Sequence, residues 1–252
     1  MKIAVCIKQV PTREWQPRLS DDKTWIREQD VSYEMNEPDA YALEEALRLR
    51  ERHGGEVVAC SAGPARVQQI LREALARGAD RALHVASDAL AAADAFVTGK
   101  ALAGAMADEK FDLVLTGLQS DDQGHAQTGV VLAERLGIPH STIIMEVQVE
   151  DGRLRVKREL EGGWFQWIAM PLPALLTIQS GINQLRYATL KGIMAAKKKE
   201  IRQVQPADLQ PSQRIVTLAM PSRTKETQII GGSPAEAAKE LVRRLREEAR
   251  AL

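Results

Sequence analysis

Between residues 117 and 129 the chain reads Gly117-Leu118-Gln119-Ser120-Asp121-Asp122-Gln123-Gly124-His125-Ala126-Gln127-Thr128-Gly129, and a helical pattern follows. A strand-to-helix loop this rich in Gly, Ser and Asp leaves backbone N–H groups free and points a helix dipole at the space before it, which suits a phosphate. Gln127 and Thr128 add side-chain donors. Asp121 and Asp122 oppose that reading, because carboxylates at short range repel a phosphate, so at most one is expected to face a ligand. The competing reading is an ordinary helix cap. Neither a GxGxxG fingerprint nor a Walker P-loop is present to decide between them.

Two more loops have the residue types of a ligand crevice: Lys8-Gln9-Val10-Pro11, and Ser61-Ala62-Gly63-Pro64, whose small side chains let a ligand approach the backbone. Asn36-Glu37-Pro38-Asp39 reads as capping chemistry first and as a nucleotide contact second. Cys6 and Cys60 sit in apolar runs, where a small buried residue packs well. Two cysteines could form one bridge at most and have no metal-ligand spacing, so a reducing compartment is the expectation. His125 lies in the polar loop, where solvation is the ordinary role, and His53, His84 and His140 lack ligand spacing, so no metal site is expected. No Ser-His-Asp, Cys-His or paired-carboxylate arrangement is evident, which counts against a hydrolase.

A second constellation runs Arg186-Tyr187-Ala188-Thr189-Leu190-Lys191-Gly192-Ile193-Met194-Ala195-Ala196-Lys197-Lys198-Lys199, with no acid until Glu200. A solvated basic helix end is the ordinary account of such a run. An apolar tip of Leu190, Ile193 and Met194 among cations also describes a docking loop, in which one anchor fills a partner's pocket and rim charges speed encounter.

The elements that must position these residues follow from hydrophobic periodicity. Strands are expected at 2–8, 56–61, 82–85 and 112–116, and helices at 38–52, 67–77, 93–107 and 127–136. A βαβαβαβα series implies an open, mostly parallel sheet with helices on both faces. Ligands bind such sheets beyond the carboxyl ends of the strands, where the strand order reverses. After residue 140 the alternation of Val147 and Val149 with Leu154 and Val156 around Asp151-Gly152 predicts a β-hairpin. A strand is expected at 164–170 and another at 174–178, then an aperiodic stretch over 181–200. Residues 201–252 read as an arm with a terminal helix from Pro234.

Composition bounds what the crevice and the loop can meet. The 252 residues are 44% apolar and 27% charged, with 34 Lys+Arg balanced by 34 Asp+Glu, so no overall basic field exists to hold a nucleic acid. No apolar run approaches the ~20 residues that cross a bilayer and no secretory pattern opens the chain, so a cytoplasmic protein without membrane insertion is expected.

Taken in order, these residues resemble the β subunit of electron-transfer flavoprotein over nearly the whole chain. The resemblance rests on Lys8-Gln9-Val10-Pro11, Met35-Asn36 with Pro38 and Ala42-Leu43-Glu44-Glu45-Ala46, Gly63-Pro64-Ala65, Gly78-Ala79-Asp80-Arg81, and Asp112-Leu113-Val114-Leu115 with Gly117. It rests further on Asp121-Asp122, on Gln127-Thr128-Gly129, and above all on Arg186-Tyr187-Ala188-Thr189-Leu190 with Lys197-Lys198-Lys199. It implies a Rossmann-like, adenine-nucleotide α-hydrolase-like sheet over 1–200, including a recognition loop at 184–200, and a C-terminal arm and helix over 201–252 that contact an α subunit. It further implies a structural AMP on Cys6, Asn36, Glu37, Pro38, Asp39, Ala62 and the loop from Gly117 to Gly129, beside an FAD held mostly by the α subunit. Arg186, Tyr187, Leu190, Ile193, Met194, Lys197, Lys198 and Lys199 would dock an acyl-CoA dehydrogenase-type donor, with a membrane quinone reductase as acceptor. The chain itself would be an electron carrier subunit rather than an enzyme.

Two alternatives stand beside this. Members that bind a second FAD carry Gln-Val-Gly-Pro where this chain has Gln127-Thr128-Gly129-Val130, which favours AMP. A stand-alone ATP-using or stress-type protein would show a Ser-Gly-Gly loop after the first strand, where this chain has Lys8-Gln9-Val10-Pro11.

Overall fold

The computed structural model describes residues 1–207, 209–222 and 227–252; residues 208 and 223–226 of the expected arm lie outside the described residues. The chain opens with β1 (Lys2–Cys6), a short ribbon of β2 (Gln9–Pro11) and β3 (Tyr33–Met35), and α1 (Glu37–His53). It continues through β4 (Glu56–Gly63), α2 (Gln68–Arg77), β5 (Arg81–Ala86), α3 (Ala95–Met106), β6 (Leu113–Gly117) and α4 (Thr128–Leu136). Then come β7 (His140–Glu150), β8 (Arg153–Glu159), β9 (Phe165–Pro171), β10 (Ala174–Ile178), α5 (Leu190–Ala196), β11 (Ile201–Val204) and α6 (Pro234–Glu247). The chain divides into two compact units, Met1–Thr217 and Leu218–Leu252.

The first unit holds a nine-stranded sheet in the order β11-β5-β4-β1-β6-β10-β7-β8-β9. β1 pairs in parallel with β4 on one side and with β6 on the other, and the β7–β8 and β8–β9 pairs are antiparallel. This is the open, mostly parallel α/β sheet that the alternation of strands and helices implies. Period-two alternation sends Ile3, Val5 and Ile7 into one core with Leu43 and Leu47 of α1 and Ile70 and Leu71 of α2. Ala4 and Cys6 enter a second core with Val97, Leu102 and Met106 of α3 and Leu132 of α4. Each face is therefore sealed by its own pair of helices, and the strand ends stay open.

Local chemistry fixes the helix limits. α1 carries Glu37, Pro38 and Asp39 at its start and Arg50, Arg52 and His53 in its last turn, matching its dipole, and ends at Gly54 with φ +72°. Asp151 and Gly152, both at positive φ, make the tight turn between β7 and β8.

The predicted hairpin is present as β7 and β8, and since β7 begins at His140 in parallel with β10, it carries β8 and β9 on as the sheet's far edge. The structure adds to the periodicity reading in two places. The aperiodic stretch contains α5, whose seven residues are too few to show a repeat. Ile201–Val204, read as the start of the arm, pairs in parallel with β5 as the other edge strand. A four-residue edge strand buries too little of one face to alternate.

In the second unit, α6 is capped by Ser233, which accepts from the Glu236 N–H while the Glu236 carboxylate accepts from the Ser233 N–H. Leu241 and Val242 are exposed along it.

Candidate functional site

The strand order reverses at β1: the chain leaves it toward β4 and β5, then returns through α3 to place β6 on the other side. A crevice opens there at the carboxyl ends, with about 840 Å³ of empty space counting the open solvent at its mouth. One wall is the small apolar surface of Ala62, Leu90, Ala91, Ala93 and Leu102, and the opposite side is the loop from Gly117 into the first turn of α4.

Asp39 ties the two central strands together. Its Oδ2 accepts the Lys8 N–H at 2.8 Å and its Oδ1 accepts the Gly117 N–H at 2.8 Å. Burial pushes its carboxyl up to about 6, against the two backbone N–H groups that pull it down. Gly117 is required by this contact, since an added Cβ would stand 2.7 Å from the Pro38 Cβ and closer still to the Asp39 carboxylate. Asn36 occupies the N-cap position of α1, yet its side chain makes no cap. It donates instead to the Gln119 carbonyl at 2.9 Å and accepts the Asp121 N–H at 3.0 Å. The capping role read from sequence is thus replaced by a clamp on the β6–α4 loop.

The two loop carboxylates are neutralised by this chain's own cations. The Lys8 ammonium lies 2.6 Å from Asp122 and also donates to Ser120 at 3.1 Å and Gln123 at 2.9 Å. Arg13 pairs with Glu37 and approaches Asp121 at 3.6 Å. Neither Asp121 nor Asp122 lines the crevice, so the negative charge expected to repel a phosphate is turned aside. At the helix end, Gln127 supplies no side-chain cap to α4. Gly129 brings that first turn close to the sheet, where a Cβ would stand 2.8 Å from Thr116 Oγ1 and 2.9 Å from Thr177 Cγ2. An uncapped helix N-terminus beside backbone at close range can hold an anion.

Of the residues read as crevice contacts, Cys6, Asn36, Asp39, Ala62, Gly117, Gln119, Ser120, Gln123, His125, Ala126, Gln127, Thr128 and Gly129 line the space together. Glu37, Pro38, Asp121, Asp122 and Gly124 do not line it. Lys8 and Ser61, from the two loops read as crevice loops, line it as well, and the structure adds Thr98, Thr116 and the apolar wall from Leu90 to Ala95. The sequence signal for that wall was its run of alanines, which read only as part of a helix. Ser61 Oγ is buried with no hydrogen-bond partner, an orphan that a ligand or water would satisfy. Cys6 and Cys60 are free, buried and register partners on β1 and β4. Burial raises both thiols, that of Cys60 to about 12, so both stay protonated and pack.

The run from Arg186 to Lys199 separates into a scaffold and a tip. Arg186 pairs with Glu44 at 2.7 Å and Glu51 at 2.5 Å on α1, and Arg48 donates to the Gln184 carbonyl at 2.9 Å. Thr189 caps α5 by accepting the Gly192 N–H at 3.1 Å, and a Cβ on Gly192 would collide with the Ala76 carbonyl oxygen of α2. Arg72 donates to the Ala196 and Lys199 carbonyls, and Lys199 reaches the Leu75 and Ala79 carbonyls at the end of α2. Arg186 and Lys199 are therefore engaged inside the chain. Tyr187 and Leu190 project with 87% and 84% of their surface exposed, and Ile193, Met194, Lys197 and Lys198 are exposed beside them.

Among the described residues no three His, Cys, Asp or Glu side chains converge as a metal site, and no helix is long and apolar enough to cross a membrane. These features define an open, doubly wound α/β protein with a crevice at its switch point and a greasy, lysine-flanked loop on its flank. The profile of the electron transfer flavoprotein domain matches residues 23–209. The chain is 38% identical to the electron transfer flavoprotein subunit beta of Methylophilus methylotrophus over 253 residues, covering 95% of this chain and 96% of that protein. It is 35% identical to the subunit of the same name from Bacillus subtilis, covering 90% and 91%, and 38% identical to that from Homo sapiens, covering 83% of each. The chain belongs to the electron transfer flavoprotein family, as a β-subunit member.

Proposed function

We propose that the chain is the β subunit of a cytoplasmic, heterodimeric electron carrier that holds a structural AMP in the switch-point crevice and takes part in electron transfer only together with an α subunit. The observation that carries this is the crevice itself, where a small apolar wall, an uncapped helix N-terminus and an orphaned Ser61 hydroxyl meet, with both loop carboxylates turned away. That donor set fits an adenine nucleotide. The wall of Ala62, Leu90 and Ala93 suits the base, and the first turn of α4 at Gln127, Thr128 and Gly129 suits the phosphate. AMP there does no chemistry and stabilises the folded chain by binding it.

An FAD held mostly by the α subunit supplies the redox chemistry of the carrier. This chain's own task is to present Leu190, with Tyr187 and Met194 around it, to an acyl-CoA dehydrogenase-type donor, so that electrons pass to the flavin and on to a membrane quinone reductase. Exposed apolar anchors rimmed by Lys191, Lys197 and Lys198 support that role. Co-expression with an α-type subunit, heat release and chromatography of the bound nucleotides test the reading. One FAD and one AMP per heterodimer is the expected result; two FAD, or ATP turnover by the isolated chain, overturns it.

A further inference from the structure

Ala93 and Ala95 line the crevice, and Asp94 between them does not. Asp94 is the N-cap of α3. Its Oδ1 accepts the Val97 N–H at 2.8 Å, and its carbonyl accepts the Thr98 N–H at 3.0 Å and the Thr98 hydroxyl at 2.9 Å. Thr98 is itself part of the crevice lining. Asp94 Oδ2 accepts two further backbone N–H groups, those of Ser212 and Gln213, both at 2.8 Å and 118 and 119 residues away in sequence. Burial works to raise this carboxyl, but the N–H groups of Val97, Gln213 and Ser212 prevail and hold it below the ordinary carboxylate value. Just before the two donors, Leu209 packs against the second core that α3 helps to build. α3 also meets the other side of the crevice: a Cβ on Gly99 would stand 2.7 Å from Val131 Cγ1 of α4, and Arg135 of α4 stands over the Phe96 ring at 4.6 Å.

We propose that Asp94 is a positioning residue of the nucleotide crevice and that residues 209–213 are the strap through which it acts: the seated strap fixes the wall on which an adenine nucleotide packs, and the bound nucleotide in turn holds the strap down. A wall of alanines has no long side chains to interlock, so its shape is set by its backbone, and that backbone is what Asp94 grips. An N-cap needs one oxygen. The second oxygen spends two charge-assisted bonds on a segment that contributes nothing to the crevice lining. A ligand packed on Ala91, Ala93 and Ala95 orders the same first turn of α3 that the strap orders, so whichever binds first lowers the cost for the other. Such coupling is reciprocal.

This inference rests on the nucleotide reading above. The test measures release of radiolabelled AMP from the loaded full chain into excess unlabelled AMP, for wild type, Asp94→Asn and Gln213→Pro. Asparagine caps a helix as well as aspartate does, but with its oxygen on the Val97 N–H its NH2 group meets the two strap donors. Proline at 213 removes one strap donor and leaves Asp94 and its cap in place. Release is expected to speed up by about fivefold or more in both variants. A cap with no role beyond α3 would leave Gln213→Pro at the wild-type rate, and that result overturns the inference while the nucleotide reading stands. A second readout needs no variant: amide exchange at Ser212 and Gln213 of wild type is expected to slow by about fivefold as AMP is raised to saturation. Exchange there that ignores AMP overturns the inference as well. A wild-type chain that retains no AMP overturns the nucleotide reading together with it.

Discussion

Asp39 Oδ1 accepts the backbone N–H of Gly117 at 2.8 Å across 78 residues of sequence, while its other oxygen accepts the Lys8 N–H at 2.8 Å. One carboxylate at the start of α1 thereby holds the ends of β1 and β6 in the register that opens the crevice. Asparagine has one oxygen and must turn its amide toward the second N–H. Asp39→Asn is expected to destabilise the chain by about 1–3 kcal/mol and to loosen nucleotide binding. The pH dependence follows from burial, which raises the folded-state value from 3.8 to about 6. The folded chain then binds this proton more tightly than the unfolded chain, and stability from Asp39 falls as pH rises through that window. The deficit of the Asn variant should be larger at pH 4.5 than at pH 7.5 in urea melts; parallel pH profiles would falsify the assignment.

Gly129→Ala places a methyl group 2.8 Å from Thr116 Oγ1 and 2.9 Å from Thr177 Cγ2. Both neighbours lie on the sheet, so the first turn of α4 must move. A loss of about 1–3 kcal/mol is expected, together with release of the bound nucleotide. Nucleotide content measured after purification checks this, and full retention would remove that turn from the site.

Lys8 joins β1 to the loop through Ser120, Asp122 and Gln123. Lys8→Met should leave global stability nearly unchanged, because the pair is partly exposed. Amide exchange at residues 121–124 should nevertheless speed up several-fold. Exchange as slow as in wild type would show that Lys8 does not hold the loop.

Glu109 lies at the opposite end of the sheet, bonded to Lys2 at 2.7 Å, Arg81 at 2.7 Å and Arg202 at 2.8 Å. Burial works to raise its carboxyl, but the hydrogen bonds from Arg81 and Lys2 prevail and hold it at about 2. Its contribution is complete above the unfolded value of 4.5 and is lost as pH falls from there toward 2. Glu109→Gln should cost about 2 kcal/mol or more at pH 7 and remove that part of the acid sensitivity. Equal acid midpoints for the two proteins would contradict this.

Leu190→Ala removes an anchor that is 84% exposed and packs on nothing in the chain's core. Electron acceptance from the donor dehydrogenase should slow markedly, with melting temperature and flavin content unchanged. Stopped-flow reduction of the heterodimer reads this directly, and wild-type rates would place the docking point elsewhere.

The sequence by itself determined the alternating strands and helices of the central sheet, the Asp151-Gly152 turn and the loop from Gly117 to Gly129, because each rests on local periodicity or turn chemistry that the chain cannot satisfy otherwise. It also carried the order of motifs that marks the family. It could not show that Asn36 abandons capping to clamp Gln119 and Asp121, that Lys8 and Arg13 draw Asp122 and Asp121 out of the crevice, or that Lys199 is bonded to the carbonyls of α2. Each of those outcomes depends on partners tens of residues away, and a polar side chain chooses among donors and acceptors only after the strands have set their distances. The same holds for α5 and β11, too short to carry a period, which take their places only because α2 and β5 offer surfaces to pack on and pair with.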